Sequence, residues 1–255
     1  MNLDFSPATI YCMAAELAAE TLLRIGPLPL TNTLLHTFFV DGIVVGTIVA
    51  LQKQLRLIPG TLQNIFEYAI EGLYDLTLSV SPKNAPQIFP WFMSFFIFLL
   101  IANWTSLLPG FGTILVKTPE GMVPLLRGAA SDLNLTLGLA LVSAVATHVL
   151  ALRAVGLADY LKRYFSLNPI FLFVGILEIV SEITKVISLS FRLFGNIFAG
   201  EVVLKTVSSM FAFILPLPFI SLEIIVGLVQ ALVFSILTMA FMAILTTPHS
   251  EGGEH

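Results

Sequence analysis

Charge is what this sequence has least of. Only 11% of its 255 residues are charged and 57% are hydrophobic, with a mean hydropathy of +0.95. Soluble domains carry charge on about a quarter of their residues. A water-soluble globule is therefore excluded, and an all-helical chain that crosses a membrane several times is expected. The single cysteine, Cys12, excludes an internal disulfide and leaves the redox compartment open. No Cys/His cluster has metal-ligand spacing, so neither a metal nor any other cofactor is expected. No glycine-rich phosphate loop is present, so a nucleotide would have to be bound by another chain. The net charge of −4 says little about nucleic acid, but no basic patch with interleaved aromatics appears, so a nucleic-acid partner is not expected. No basic stretch precedes an early apolar core, so a signal peptide is not expected. An internal repeat is lacking too, which counts against repeat-built transporters and solenoids.

What is present is a series of long apolar runs in one membrane domain. The first spanning segment is expected over 33–51, with His36 near its start and Asp41 inside it. Asp41 is either a buried functional carboxylate or a group at the membrane interface. Over 59–78, Leu62, Ile65, Phe66, Ala69, Leu73 and Leu76 recur at helical spacing, and Glu67, Glu71 and Asp75 keep another face acidic. That pattern predicts a helix lying on the membrane surface. Pro82, Pro86 and Pro90 are expected to break the chain before a second span over 91–108. The third span is expected over 133–152, opened by Ser131 or Asp132 as an N-cap. His148, near its far end, has no evident partner and reads as structural. Residues 153–165 read as a polar connector.

From 170 to 215 the chain stays apolar without a proline. So long a helix reaches about 60 Å at 1.5 Å per residue, twice the ~30 Å hydrocarbon core. Either two helices or one strongly inclined helix fits there; with no breaker in the middle but Gly195 and Gly200, the inclined helix is expected, packed as a hairpin with a second long helix over 219–245. The latter carries Glu223 and Gln230 on one face and a small-residue stripe, Gly227, Ala231 and Ser235, for close packing. The tail after Pro248 is short and acidic.

Within the long segment, Ser188 to Glu201 reads Ser-Leu-Ser-Phe-Arg-Leu-Phe-Gly-Asn-Ile-Phe-Ala-Gly-Glu. Arg192 stays charged under all protein conditions, and a charge at bilayer depth costs ~2.5–3.5 kcal/mol even on the lenient insertion scale. Either the side chain snorkels to the headgroups or it meets water, a partner charge or a moving ion. At about 100° per residue, Glu178, Glu182, Lys185, Ser188, Arg192 and Asn196 share one arc of the helix. Glu201 and Lys205 fall on the opposite face. Two polar tracks on one helix, with a fixed cation near the break between them, suggest two separate aqueous routes. The plainer reading of the other charges is a set of internal ion pairs, Glu182 with Lys185 and Glu201 with Lys205. Gly195 and Ala199 sit beside the Arg192 face at the spacing that admits another helix backbone.

The run Arg192-Leu-Phe-Gly-Asn-Ile-Phe-Ala-Gly-Glu201 resembles the signature of subunit a of F-type ATP synthases. His36 with Asp41, Asn103 before Leu107-Leu108-Pro109-Gly110, and Ser131-Asp132-Leu133-Asn134-Leu135-Thr136 are also similar to that family, although Ser106 stands where the family usually has glycine. The resemblance implies a non-catalytic membrane stator that passes ions, protons in the first instance, to and from the carboxylates of a rotating c-ring. It implies peripheral-stalk subunit b, the other synthase subunits and membrane lipid as partners. It makes Arg192, Glu201, Glu223, Gln230, Asn196, Ser188, Glu178 and Glu182 the candidate ion-path residues, and Asp41, Asp132, Asn134, Lys185 and Asn103 weaker ones. Some relatives place a histidine where this chain has one of its glutamates.

Basic residues set the expected orientation. The segments 52–88 and 153–169 hold Lys53, Arg56, Lys83, Arg153, Lys162 and Arg163, against Arg24, Lys117 and Arg127 elsewhere. That places the N-terminus outside and the C-terminus in the cytoplasm, with a bacterial plasma membrane as the expected location. The competing function is an ion-coupled secondary transporter in which Arg192 holds an anionic substrate.

Overall fold

The computed structural model describes residues 19–25, 28–54, 60–108, 114–118, 121–164, 169–210 and 216–247. Among these, seven helices dominate: α1 (Asn32–Gln54), α2 (Thr61–Val80), α3 (Ala85–Ser106), α4 (Leu133–Val155), α5 (Leu157–Tyr164), α6 (Pro169–Met210) and α7 (Pro216–Thr246). Two antiparallel ribbons accompany them, β1 (Thr21–Ile25) with β2 (Leu28–Thr31), and β3 (Leu115–Thr118) with β4 (Gly121–Pro124). Four helices, α1, α3, α4 and α7, are long and apolar enough to cross a membrane. The protein is an all-α polytopic membrane protein, and the ribbons are local turns in its connections. The stretch 211–215, expected to end the long helix, lies outside the described residues.

Two elements differ from the sequence expectation, and a third decides between one helix and two over the long segment. Pro86 and Pro90 do not break the chain; α3 starts at Ala85 and carries Pro90 inside it. Pro86 falls in the first turn, where its N–H would have no intrahelical partner; Pro90 lies inside the helix and removes one bond to the Pro86 carbonyl without ending it. Residues 157–164 form α5 instead of a connector. Gly156 adopts φ +87 at the end of α4, and its N–H bonds the Leu152 carbonyl at 3.1 Å. Glycine closes a helix this way because it has no Cβ to clash in the left-handed region. The turn sends α5 back toward α4. Finally, α6 is one continuous helix of 42 residues.

The chain divides into two compact units. The first comprises 1–41, 99–136 and 191–230. Here Asp132 caps α4 by accepting the Asn134 N–H at 3.0 Å, while its other oxygen accepts from Thr33 at 3.0 Å. The cap thus pins the start of α1 to the start of α4. His36, fully buried, accepts the Ala129 N–H on Nδ1 at 2.9 Å. Its ring hydrogen therefore sits on Nε2 and donates to Thr105 Oγ1, also at 2.9 Å. Gly227 admits α3 against α7: Asn103 Nδ2 donates to its carbonyl at 3.0 Å, and a Cβ there would lie 3.1 Å from Asn103 Cβ.

The second unit comprises 42–98, 137–190 and 231–255. Its core joins Ile88 and Phe92 of α3, Ala146 and Leu150 of α4, and Met239, Met242 and Ala243 of α7, with Leu73 and Leu76 of α2 packed on the outside. Across it, Ser143 and Thr238 share a hydrogen bond of 2.9 Å. Only part of α2 uses its apolar face this way, since Ile65 and Phe66 stay exposed.

Candidate functional site

Among the described residues, each unit holds a cluster of charged and polar side chains that includes glutamates of the two long helices α6 and α7. In the first unit the cluster lies where α6 and α7 run antiparallel. Asn196 Nδ2 donates to Gln230 Oε1 at 2.8 Å, and further along Gly200 faces Glu223. A Cβ at Gly200 would coincide with the Glu223 carboxylate, so the missing side chain is what makes room for that carboxylate between two helices. Glu223 is 9% exposed and Gln230 4%. Glu201 follows at once. Its Oε1 takes a bond from Lys205 Nζ at 2.6 Å and has Arg127 Nε at 4.0 Å. Its Oε2 is buried without a hydrogen-bond partner among the described residues. A carboxylate with one oxygen held and the other free, beside a second carboxylate, can take up and pass on a proton. Arg127, its side chain 5% exposed, belongs to this cluster and was missed by sequence reasoning, which counted it only as a loop cation. Its sole signal was its rarity, one of 12 basic residues in the chain.

Arg192 lies in the same unit and behaves differently. It is exposed on the chain, and so are Ser188, Gly195, Asn196 and Ala199 on either side of it along α6, while Leu193, Phe194 and Ile197 are buried behind. No hydrogen bond or ion pair joins Arg192 to any described residue. A permanent cation on a stripe with two small residues is presented outward, free to pair with a group from another chain.

The second unit gathers Glu182, Lys185 and His148. Lys185 Nζ bonds Glu182 Oε1 at 2.7 Å and stands 4.9 Å above the Phe241 ring. Glu182 Oε2 is 3.9 Å from His148 Nε2. A small, half-open cavity lies here, lined in part by Ser143, Thr147, Glu182, Lys185 and Phe241. Four hydroxyl, carboxylate or ammonium side chains give it a wettable wall. Glu178, half-buried, lies one turn before Glu182.

Both ion pairs anticipated from spacing do form. A partly exposed i,i+4 pair is worth about 0.3–0.5 kcal/mol in water, too little to explain keeping a carboxylate in an apolar helix. Each carboxylate also has a second basic neighbour, Arg127 or His148. Asp132 and Asn103 act through backbone contacts described above, Asn134 and Asp41 are exposed, and none of these four touches Glu182, Glu201 or Glu223. His148, read from sequence as structural, is in contact range of the Glu182 cluster.

A family model described as "ATP synthase A chain" matches residues 34–243. The chain is 30% identical over 222 residues to the ATP synthase subunit a of Moorella thermoacetica, covering 87% of this chain and 94% of that one. It is 33% identical over 221 residues to ATP synthase subunit a 1 of Hahella chejuensis, covering 87% and 86%. With the Legionella pneumophila ATP synthase subunit a it shares 30% identity over 226 residues, covering 88% and 90%. Matches of that extent place this chain in the ATP synthase subunit a family.

Proposed function

We propose that Arg192 divides two half-channels through which this stator passes protons to and from a rotating ring of carboxylate-bearing helices. The family makes the chain a non-catalytic membrane subunit of the proton-translocating sector. The observation that carries the residue-level reading is the outward, unpartnered guanidinium on a face that also exposes Gly195 and Ala199. A rotor carboxylate arriving opposite Arg192 is held ionised, because an opposite charge lowers a carboxylate pKa. It turns through lipid only when neutral, since a charge there is costly. Unable to release its own proton, Arg192 also blocks direct flow between the two tracks. Each charge crossing supplies ~2.3 kcal/mol per 100 mV.

Glu201, Glu223, Asn196 and Gln230 line one half-channel in this reading, with Arg127 setting the charge on Glu201. Glu178, Glu182 and Ser188 line the other, on the cytoplasmic side. The basic-residue count supports a cytoplasmic C-terminus, and Lys185 packs on Phe241, near the end of α7. The rotor ring and peripheral-stalk subunit b are the partners proposed, in a bacterial plasma membrane with the N-terminus outside.

Glu201→Gln tests the relay. The variant keeps the volume and loses the titration, so ATP-driven proton pumping in inverted vesicles should slow several-fold while the subunit content of the purified complex is unchanged. Wild-type pumping would remove Glu201 from the path. The purified complex should also contain a ring of small helical hairpins and the soluble ATPase subunits; a transporter would bring neither.

A further inference from the structure

The Glu182 cluster holds two side chains that the proposed path does not use, His148 and Tyr160. His148 Nδ1 is 2.9 Å from Tyr160 Oη, and the two rings meet edge to face with centroids 6.1 Å apart. The other ring nitrogen, Nε2, is 3.9 Å from Glu182 Oε2. That distance exceeds a direct hydrogen bond and suits one bridging water. Lys185 occupies the other carboxylate oxygen, so Oε2 is the one available to exchange a proton. The imidazole is 31% exposed and the carboxylate 16%, which puts the ring nearer the surface of the chain. The juxtaposition depends on Gly156, whose turn brings α5, and with it Tyr160, back against α4.

We propose that His148 carries protons between Glu182 and the water outside the cavity, with Tyr160 as the residue that positions its ring. This rests on the reading of Glu182 as a half-channel residue. A protonated Glu182 gives its Oε2 hydrogen to the bridging water, which passes one of its own to the Nε2 lone pair, and Glu182 becomes a carboxylate. The imidazolium donates its Nδ1 hydrogen bond to Tyr160 Oη. Nε2 then releases the proton to water, and the ring is neutral again; the net result is one proton moved from carboxyl to solvent. Running the steps backward loads Glu182. An imidazole suits both directions because one ring nitrogen accepts a proton while the other keeps its hydrogen bond as a donor.

The titratable groups around His148 are Tyr160 and Tyr164 on α5 and Glu178, Glu182 and Lys185 on α6. The α7 wall contributes Phe241, and α4 contributes Ser143 and Thr147. Tyr164 stacks on Tyr160 at 5.2 Å. Burial, before any effect of the neighbouring hydroxyl and carboxylates, pushes the Tyr164 hydroxyl well above the ordinary tyrosine value. It stays protonated and serves as a wall, not a carrier.

The test uses inverted vesicles containing the complete complex, with ATP-driven acidification followed from pH 6 to pH 8. His148→Ala should pump several-fold more slowly with the subunit content of the complex unchanged, and free imidazole in the buffer should restore part of the rate. Tyr160→Phe should keep most of the rate and move the midpoint of the pH profile downward, because the imidazolium loses its acceptor. Wild-type pumping by His148→Ala, a loss that imidazole does not relieve, or an unmoved profile in Tyr160→Phe each overturns the proposal. Glu182→Gln is measured alongside. If it pumps normally the half-channel reading itself is wrong, whereas a slow Glu182→Gln beside a normal His148→Ala overturns the histidine role alone.

Discussion

Replacing Arg192 by alanine should reduce ATP-driven proton pumping by two to three orders of magnitude while the subunit remains assembled. Assembly should survive because the guanidinium is exposed and its removal breaks no hydrogen bond or ion pair with any described residue. It also relieves the cost of inserting a charge, ~2.5–3.5 kcal/mol on the lenient scale. The transport loss follows from what the cation does for a passing carboxylate. Two opposite charges about 4 Å apart attract by roughly 4 kcal/mol at an effective dielectric constant of 20. That is about 3 pKa units, since each unit is 1.36 kcal/mol, and hence about a thousandfold in the ionised fraction near the midpoint. Without Arg192 the rotor carboxylate keeps its proton, and nothing electrostatic separates the two tracks. Passive proton flow through the membrane sector, measured after the soluble head is stripped off, should therefore rise in the same variant. Arg192→Lys should restore only part of the coupled rate, because an ammonium is a compact point charge whose pKa falls when it is desolvated. Near-normal coupled pumping in Arg192→Ala would remove the cation from the mechanism.

The helices were legible because apolar run length and breaker residues are local signals. The span opening at Leu133 could be read from Asp132 as its cap, and the small stripe at Gly227 from its spacing. The role of the charged positions was legible at Arg192, where a permanent cation interrupts an apolar run, and at Glu182 with Lys185, where three-residue spacing defines a pair. What stayed hidden depended on contacts distant in sequence. Arg127 meets Glu201 across 74 residues, and His36 reads Thr105 and Ala129 from three separate segments. The helix α5 was misread for a different reason. Leu157, Tyr160, Leu161 and Tyr164 do recur at helical spacing, but eight residues with two basic side chains among them looked like a loop until Gly156 was seen to turn the chain. Pro86 misled in the opposite direction, because a proline penalises a helix interior and not its first turn, while Pro90 costs α3 one backbone bond and the apolar run carries the helix through it.

Two glycines on α6 should respond to the same added methyl group in opposite ways. At Gly175 a Cβ would collide with the Tyr164 carbonyl oxygen and lie 2.9 Å from its carbonyl carbon and 3.2 Å from its Cα. All of these are backbone atoms at the end of α5, so relief requires a helix to move. Overpacking of that kind costs typically 1–3 kcal/mol, and it would be spent at the junction that carries Tyr160 to His148. Gly175→Ala should lower the amount of subunit recovered in the membrane and in the complex. At Gly200 the colliding atoms are the carboxylate of Glu223, the far end of a flexible side chain. Glu223 can swing away, so Gly200→Ala should accumulate at the normal level yet pump several-fold more slowly, its carboxylate displaced from beside Glu201. Immunoblots of membranes and acidification rates separate the two outcomes. Gly195→Ala completes the comparison: beyond the neighbouring backbone of its own helix, no described residue comes within 4 Å of a Cβ placed there. A transport defect in that variant at normal abundance would have to arise from something packed against the Arg192 face from outside, which is where the ring is proposed to turn. Normal pumping with a bulkier Gly195→Leu would leave no room for that assignment.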